Sequence, residues 1–145
     1  MANLIWKRPD GGISVTHPAA GQDLGELAAI LQGRGDIPAD YELVCVGAEL
    51  PADREFRGAW SWETPEPVVD INLPKAKEIA HEKRRAKREV EFAPHDSIIA
   101  KQIPGKSLQD AETARAAIRT KYDTVQTDID AAADVATLKT VLGGM

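Results

Sequence analysis

The sequence predicts an α+β protein, with a small β-containing module carrying one helix at residues 1–72 and a helical hairpin or bundle at residues 73–145. Three observations predict it. Over the first seventy residues short apolar runs alternate with turn residues, as strands do. From Pro74 onward apolar residues recur three and four apart, as on helices. The charge balance changes at the same place: residues 1–74 hold 5 Lys/Arg against 12 Asp/Glu, residues 75–91 hold 7 against 4, and residues 92–145 hold 6 against 7. An acidic head, a basic helix and a nearly neutral tail steer protein contacts more naturally than they grip nucleic acid.

Leu4-Ile5-Trp6 reads as a strand, Pro9-Asp10-Gly11-Gly12 as a turn and Ile13-Ser14-Val15-Thr16 as a second strand, together a β-hairpin. Asp23 precedes Leu24, Leu27, Ala28 and Leu31 at helical spacing, with Gly33 and Gly35 after them: a cap, two to three turns and a stop. The apolar face of that helix must lie on the hairpin. Tyr41 to Val46 is a further strand, in which Cys45 is expected as a buried small hydrophobe. A lone cysteine cannot form an internal disulfide. Phe56 to Trp62 is an extended or turning stretch whose aromatics Phe56, Trp60 and Trp62 can anchor the module, since each buries on the order of 150–250 Å². Val68 to Ile71 makes one more short strand.

Pro74 opens an amphipathic helix over residues 74–91, where its missing N–H costs nothing, with Ala76, Ile79, Ala80, Ala86 and Val90 on its apolar side. A separate helical piece over residues 95–103 ends at Pro104-Gly105. Ser107, with Asp110 three residues on, caps a long helix whose Ala111, Ala114, Ile118, Tyr122, Val125, Ile129 and Ala132 form one stripe, fit to pack lengthwise on another helix. Asp134 begins a last short helix through Leu138 and Leu142.

Candidate chemistries fall away one by one. Gly105-Lys106-Ser107 resembles the end of a phosphate-binding loop, but no strand precedes it and Ala100 stands where the first glycine belongs. Glu78 and His81 form one Glu-x-x-His pair where a di-metal carboxylate site needs two. His17 and His95 add no zinc spacing. Arg34-Gly35-Asp36 simply ends a helix. Asp53-Arg54-Glu55-Phe56-Arg57 lacks a nucleophile–base pair. The reading is therefore of a non-enzyme with no cofactor and no metal. No stretch approaches the roughly 20 apolar residues of a membrane span, and MANLIWKRPDGG lacks the long apolar region of a signal peptide, so synthesis and use in a reducing cytoplasm, or carriage out of it by a route other than secretion, are expected.

The basic run Lys83-Arg84-Arg85-Ala86-Lys87-Arg88 could lie along phosphates, but interleaved glutamates weaken such a grip. Lys77, His81, Arg84 and Arg88 line up on the helix surface, and a partner-facing helix accounts for them.

At Asp53-Arg54-Glu55-Phe56-Arg57-Gly58-Ala59-Trp60, followed by Pro74-Lys75-Ala76-Lys77-Glu78-Ile79, the chain resembles a group of small tailed-bacteriophage proteins with a DR-x-FR-x-AW pattern and then a PKA-x-EI helix. The resemblance runs on through Phe92 to Gly105 and covers the chain from about residue 40. Gly58 departs from the pattern, where Asn is common. What the resemblance implies is a virion protein made in the host cytoplasm, associated with the tail or tail fibre, oligomeric in its assembly and touching other virion proteins. On this reading Phe56, Arg57, Trp60, Trp62, Lys77, Arg84 and Arg88 contact partners. Two alternatives stand beside it: a tail-fibre assembly chaperone that leaves before completion, and a small nucleic-acid-binding regulator built on residues 83–88.

Overall fold

The computed structural model describes residues 2–145 and has the α+β class expected, its strands gathered before residue 72 and its long helices after it. The chain divides into two compact units, Met1–Asn72 and Leu73–Met145.

In the first unit β1 (Leu4–Lys7) is the central strand of a three-stranded antiparallel sheet, flanked by β2 (Ile13–Thr16) and β3 (Glu42–Val46). A strand covered on both faces has no polar side to show water, which is why Leu4, Ile5 and Trp6 follow one another without alternation and are all fully buried. Leu4 and Trp6 face helix α1 (Leu24–Gly33) through Ala28, Leu24, Leu27 and Leu31. Ile5 faces the opposite way, into Ile13, Ala48, Trp60 and Val69.

The helix is bounded as its residues dictate. The Asp23 carboxylate accepts from the Glu26 N–H, and Gly35, at φ 79°, returns its N–H to the Gln32 carbonyl. Asn3 ties the sheet to the chain beyond β3. Its buried side chain donates to the Ala48 carbonyl and accepts from the Ala48 N–H, each at 3.0 Å, while its carbonyl receives the Gly47 N–H. A second, two-stranded sheet joins β4 (Trp60–Ser61) to β5 (Asp70–Ile71), with a single 3-10 turn, Arg57–Ala59, leading into β4.

Cys45 is half-buried and not the interior residue expected. β3 is an edge strand, so one flank of it meets solvent, and Leu43 and Val46 are exposed for the same reason.

The second unit holds α2 (Leu73–Lys101), α3 (Leu108–Ala131) and α4 (Val135–Gly143), with α2 lying along α3 and α4 against both. Ser107 accepts from the Asp110 N–H and Asp134 from the Thr137 N–H, so both predicted caps form. The two helical pieces expected at 74–91 and 95–103 are one helix of 29 residues with Pro94 inside it. The ring removes one hydrogen bond, to the carbonyl of Val90, and Val90 is 71% exposed. Water can reach that carbonyl, so the break is tolerated.

The apolar side of α2 also differs from the expected one. Ala76, Ala80 and Arg84 are its buried residues, whereas Ala86 and Val90 are exposed. The buried stripe follows the i, i+4 line and runs straight into the cations. Among the described residues no helix is long and apolar enough to cross a membrane.

Candidate functional site

The charged stripe of α2 is the seam on which α3 sits. Lys77 Nζ donates to the backbone carbonyl of Asp130 at 2.8 Å, and His81 Nε2 lies 2.8 Å from the Asp130 carboxylate. Farther along, Lys121 and Tyr122 of α3 both donate to one oxygen of Glu91, at 2.8 and 2.7 Å. Arg88 and Arg115 stack over the Phe92 ring at 5.0 and 5.6 Å, and Arg115 Nε reaches Asp96 at 2.9 Å. Numbers rise on α2 as they fall on α3, so the pairing is antiparallel and the polar contacts fix its register.

One of these cations does work that a helix end requires. Neither α3 nor α4 has a basic residue in its last turn, where unpaired carbonyls gather negative charge. Lys77 supplies that charge to α3, while Lys87 donates to the carbonyl of Met145, two residues past the end of α4.

Three of the residues expected at a partner surface make contacts inside the unit or are buried in it. Lys77 reaches the Asp130 carbonyl, Arg88 stacks on Phe92 of its own helix, and Arg84 is 8% exposed. Within residues 83–88, Arg85 and Lys87 are exposed and stand beside exposed Glu82 and Glu89. The physical reason is length: long side chains bury their stems along a helix interface while their charged heads find partners at its margin.

Glu91 is held below the usual carboxylate range by the hydrogen bonds from Lys121 and Tyr122. The same contact acts oppositely on Tyr122, whose burial, followed by the Glu91 carboxylate, pushes the phenol up to about 12. Both shifts describe a pair that holds its place.

The residues of the aromatic segment separate in the first unit. Phe56, expected at a partner surface, is an interior side chain, 1% exposed. Trp62 is half-buried and packs on the cluster around Ile5 and Trp60. Arg57 and Trp60 come together, the guanidinium carbon 5.9 Å from the ring centroid, a cation–π distance. Trp60 itself is buried and its Nε1 finds no acceptor among the described residues, so packing and the arginine hold it.

These two residues line an open cleft of about 410 Å³ with Gly58, Ile13, Ser14, Val15 and Arg8. The sequence reading missed Arg8 and Ser14. They come from the first hairpin, some fifty residues away in the chain, which the Gly12–Ser61 bridge and the packing of Ile13 with Trp60 bring alongside β4. Arg8 is fixed where it stands: its Nε pairs with Asp10 at 3.2 Å, and its guanidinium covers the backbone of Gly12 so closely that a Cβ there would meet Arg8 Nη2 at 2.2 Å.

Among the described residues no group of three or more His, Cys, Asp or Glu side chains could hold a metal ion. Comparison of the chain with known proteins matches no protein family, no curated protein and no solved structure.

Proposed function

We propose that the chain is a structural protein of a tailed-bacteriophage particle, an adaptor at the tail or tail fibre that works by protein–protein contact and is present in several copies. The reading begins from the DR-x-FR-x-AW and PKA-x-EI resemblance. One structural observation supports it above the others. The arginine and tryptophan of the first motif, Arg57 and Trp60, line the open cleft of the first unit, while the PKA segment of the second motif opens a helix braced on its neighbour. Motif residues that build a recess and a brace suit a docking protein. Titratable groups that pair with one another, as Glu91 does with Tyr122 and His81 with Asp130, suit a rigid part.

Mass spectrometry of purified particles tests the assignment. Recovery of the chain in stoichiometric amount is the expected result. Its absence from mature particles, with presence in infected-cell extracts, would transfer the assignment to an assembly chaperone. The use of the α2 cations inside the unit weighs against the nucleic-acid reading, and a mobility-shift assay at low salt checks it, with no retardation expected.

A further inference from the structure

We propose that the cleft beside β2 binds a carboxylate carried on an extended acidic segment of a partner protein, the segment lying along the open edge of that strand. This rests on the docking reading above and names the chemistry of the docked chain.

Charge is the first ground. The first unit has 5 Lys/Arg against 12 Asp/Glu, yet the seven residues lining the cleft include two of those cations and no carboxylate. A pair of guanidinium groups at one recess of an otherwise acidic body selects an anion there and repels it elsewhere. Among the described residues no carboxylate lies within ion-pair distance of Arg57, whose recorded partner is the Trp60 ring. Its donors therefore remain open to a ligand. Arg8 uses Nε on Asp10 and keeps its terminal nitrogens, and the side chain is one-third exposed.

Backbone geometry is the second ground. β2 is an edge strand, paired with β1 on one side, and on the other the recorded contact is the Gly12–Ser61 bridge at its very start. Beyond that bridge Ser14 turns its backbone groups to Trp6 of β1, whereas Val15, at the next position, directs its own to the outer edge beside the cleft, where an added strand can meet them. Arg8 and Arg57 line the recess beside Ile13, Val15 and Trp60, so a segment alternating acidic and apolar residues fits: its carboxylates share one face, toward the two guanidinium groups, and its apolar side chains point to the other.

The test uses the full chain and an acetylated, amidated peptide of alternating valine and glutamate, with its glutamine counterpart and sodium acetate as comparisons. Backbone and indole resonances in two-dimensional NMR report the site, and titration gives the affinity. The glutamate peptide is expected to shift the amides of residues 13–16 and the Trp60 indole. Arg57→Ala is expected to weaken it about tenfold, the scale of one lost charge-assisted hydrogen bond. Arg54→Ala, a charge change outside the cleft, should leave affinity unaltered, and Arg57→Lys should recover part of it.

Equal binding of the glutamine peptide, shifts confined to other surfaces, or equal effects of the Arg54 and Arg57 variants would overturn the proposal. So would acetate alone reproducing every shift, which would make this a small-anion site. A chain found in particles that ignores the peptide leaves the virion assignment standing and removes the cleft. A chain absent from particles that binds the peptide does the reverse.

Discussion

Removing Glu91 is expected to destabilise the helical unit more than removing the phenol it holds, although both changes delete the same hydrogen bond. Tyr122 is fully buried, its hydroxyl 2.7 Å from Glu91 Oε1, whereas the Glu91 side chain is 30% exposed and also receives Lys121 at 2.8 Å. In Tyr122→Phe the carboxylate keeps Lys121 and water, so the loss falls at the low end for a charge-assisted bond, about 1–1.5 kcal/mol. In Glu91→Ala a buried hydroxyl is left without an acceptor, at about 1–3 kcal/mol, and a half-exposed ion pair worth roughly 0.2–1 kcal/mol goes with it. The expected order is Glu91→Ala, then Tyr122→Phe, then Glu91→Gln, which keeps an acceptor. Urea unfolding followed by far-ultraviolet circular dichroism measures all three, and the double variant should cost about 1 kcal/mol less than the sum of its parts. A Tyr122→Phe loss exceeding that of Glu91→Ala, or strict additivity, would refute the reasoning.

Three further outcomes follow from the same seam and helix. Pro94→Ala restores an N–H to a helix that already continues through the site, so a gain of about 1–3 kcal/mol in unfolding free energy is expected; a loss would mean that the ring itself is needed in the packing. Arg84→Met replaces a buried cation whose Nε has no hydrogen-bond partner among the described residues, and stability should stay level or rise by about 1–2 kcal/mol. A loss of similar size would show that the charge is compensated. Acid and alkali should act on opposite partners of one contact. Glu91 has a depressed folded pKa, so its contribution is complete above about pH 4.5 and fades as pH falls through the lower folded value. Tyr122 has a raised one, so its contribution is complete below pH 10 and fades as pH climbs toward about 12. Unfolding curves across pH, with tyrosinate absorbance at the alkaline end, separate the two; Tyr122→Phe should remove the alkaline component and shrink the acid one without abolishing it, since Lys121 still holds Glu91 down.

The features legible in the sequence are those whose cause is local. Asp23, Ser107 and Asp134 cap helices because an oxygen-bearing side chain sits three residues before the N–H it accepts, and spacing alone reveals that. The α3 stripe of Ala111, Tyr122, Val125 and Ile129 was equally plain. Pro94 misled because the cost of a breaker depends on the face it occupies, which is set by α3 and not by its neighbours in sequence. The α2 stripe misled after Ala80 because its continuation is written in arginine and histidine, whose buried stems a pattern of apolar residues does not register. In the candidate site Arg57 and Trp60 could be singled out from one short segment. Arg8 and Ser14 could not, since a bridge and core packing between distant residues place them there.

The position of β1 fixes the order in which the first unit can complete itself during synthesis. The central strand leaves the ribosome first, and β2 follows close enough to form a hairpin at once. The other side of β1, and the paired amide of Asn3, must wait for residues 42–48. Until then the fully buried Leu4, Ile5 and Trp6 lack half their cover, so the nascent hairpin exposes its most apolar residues while α1 is being made. Early association of α1 with Leu4 and Trp6 would shield one face before β3 arrives, and that gives the helix between the second and third strands a role in timing as well as in packing.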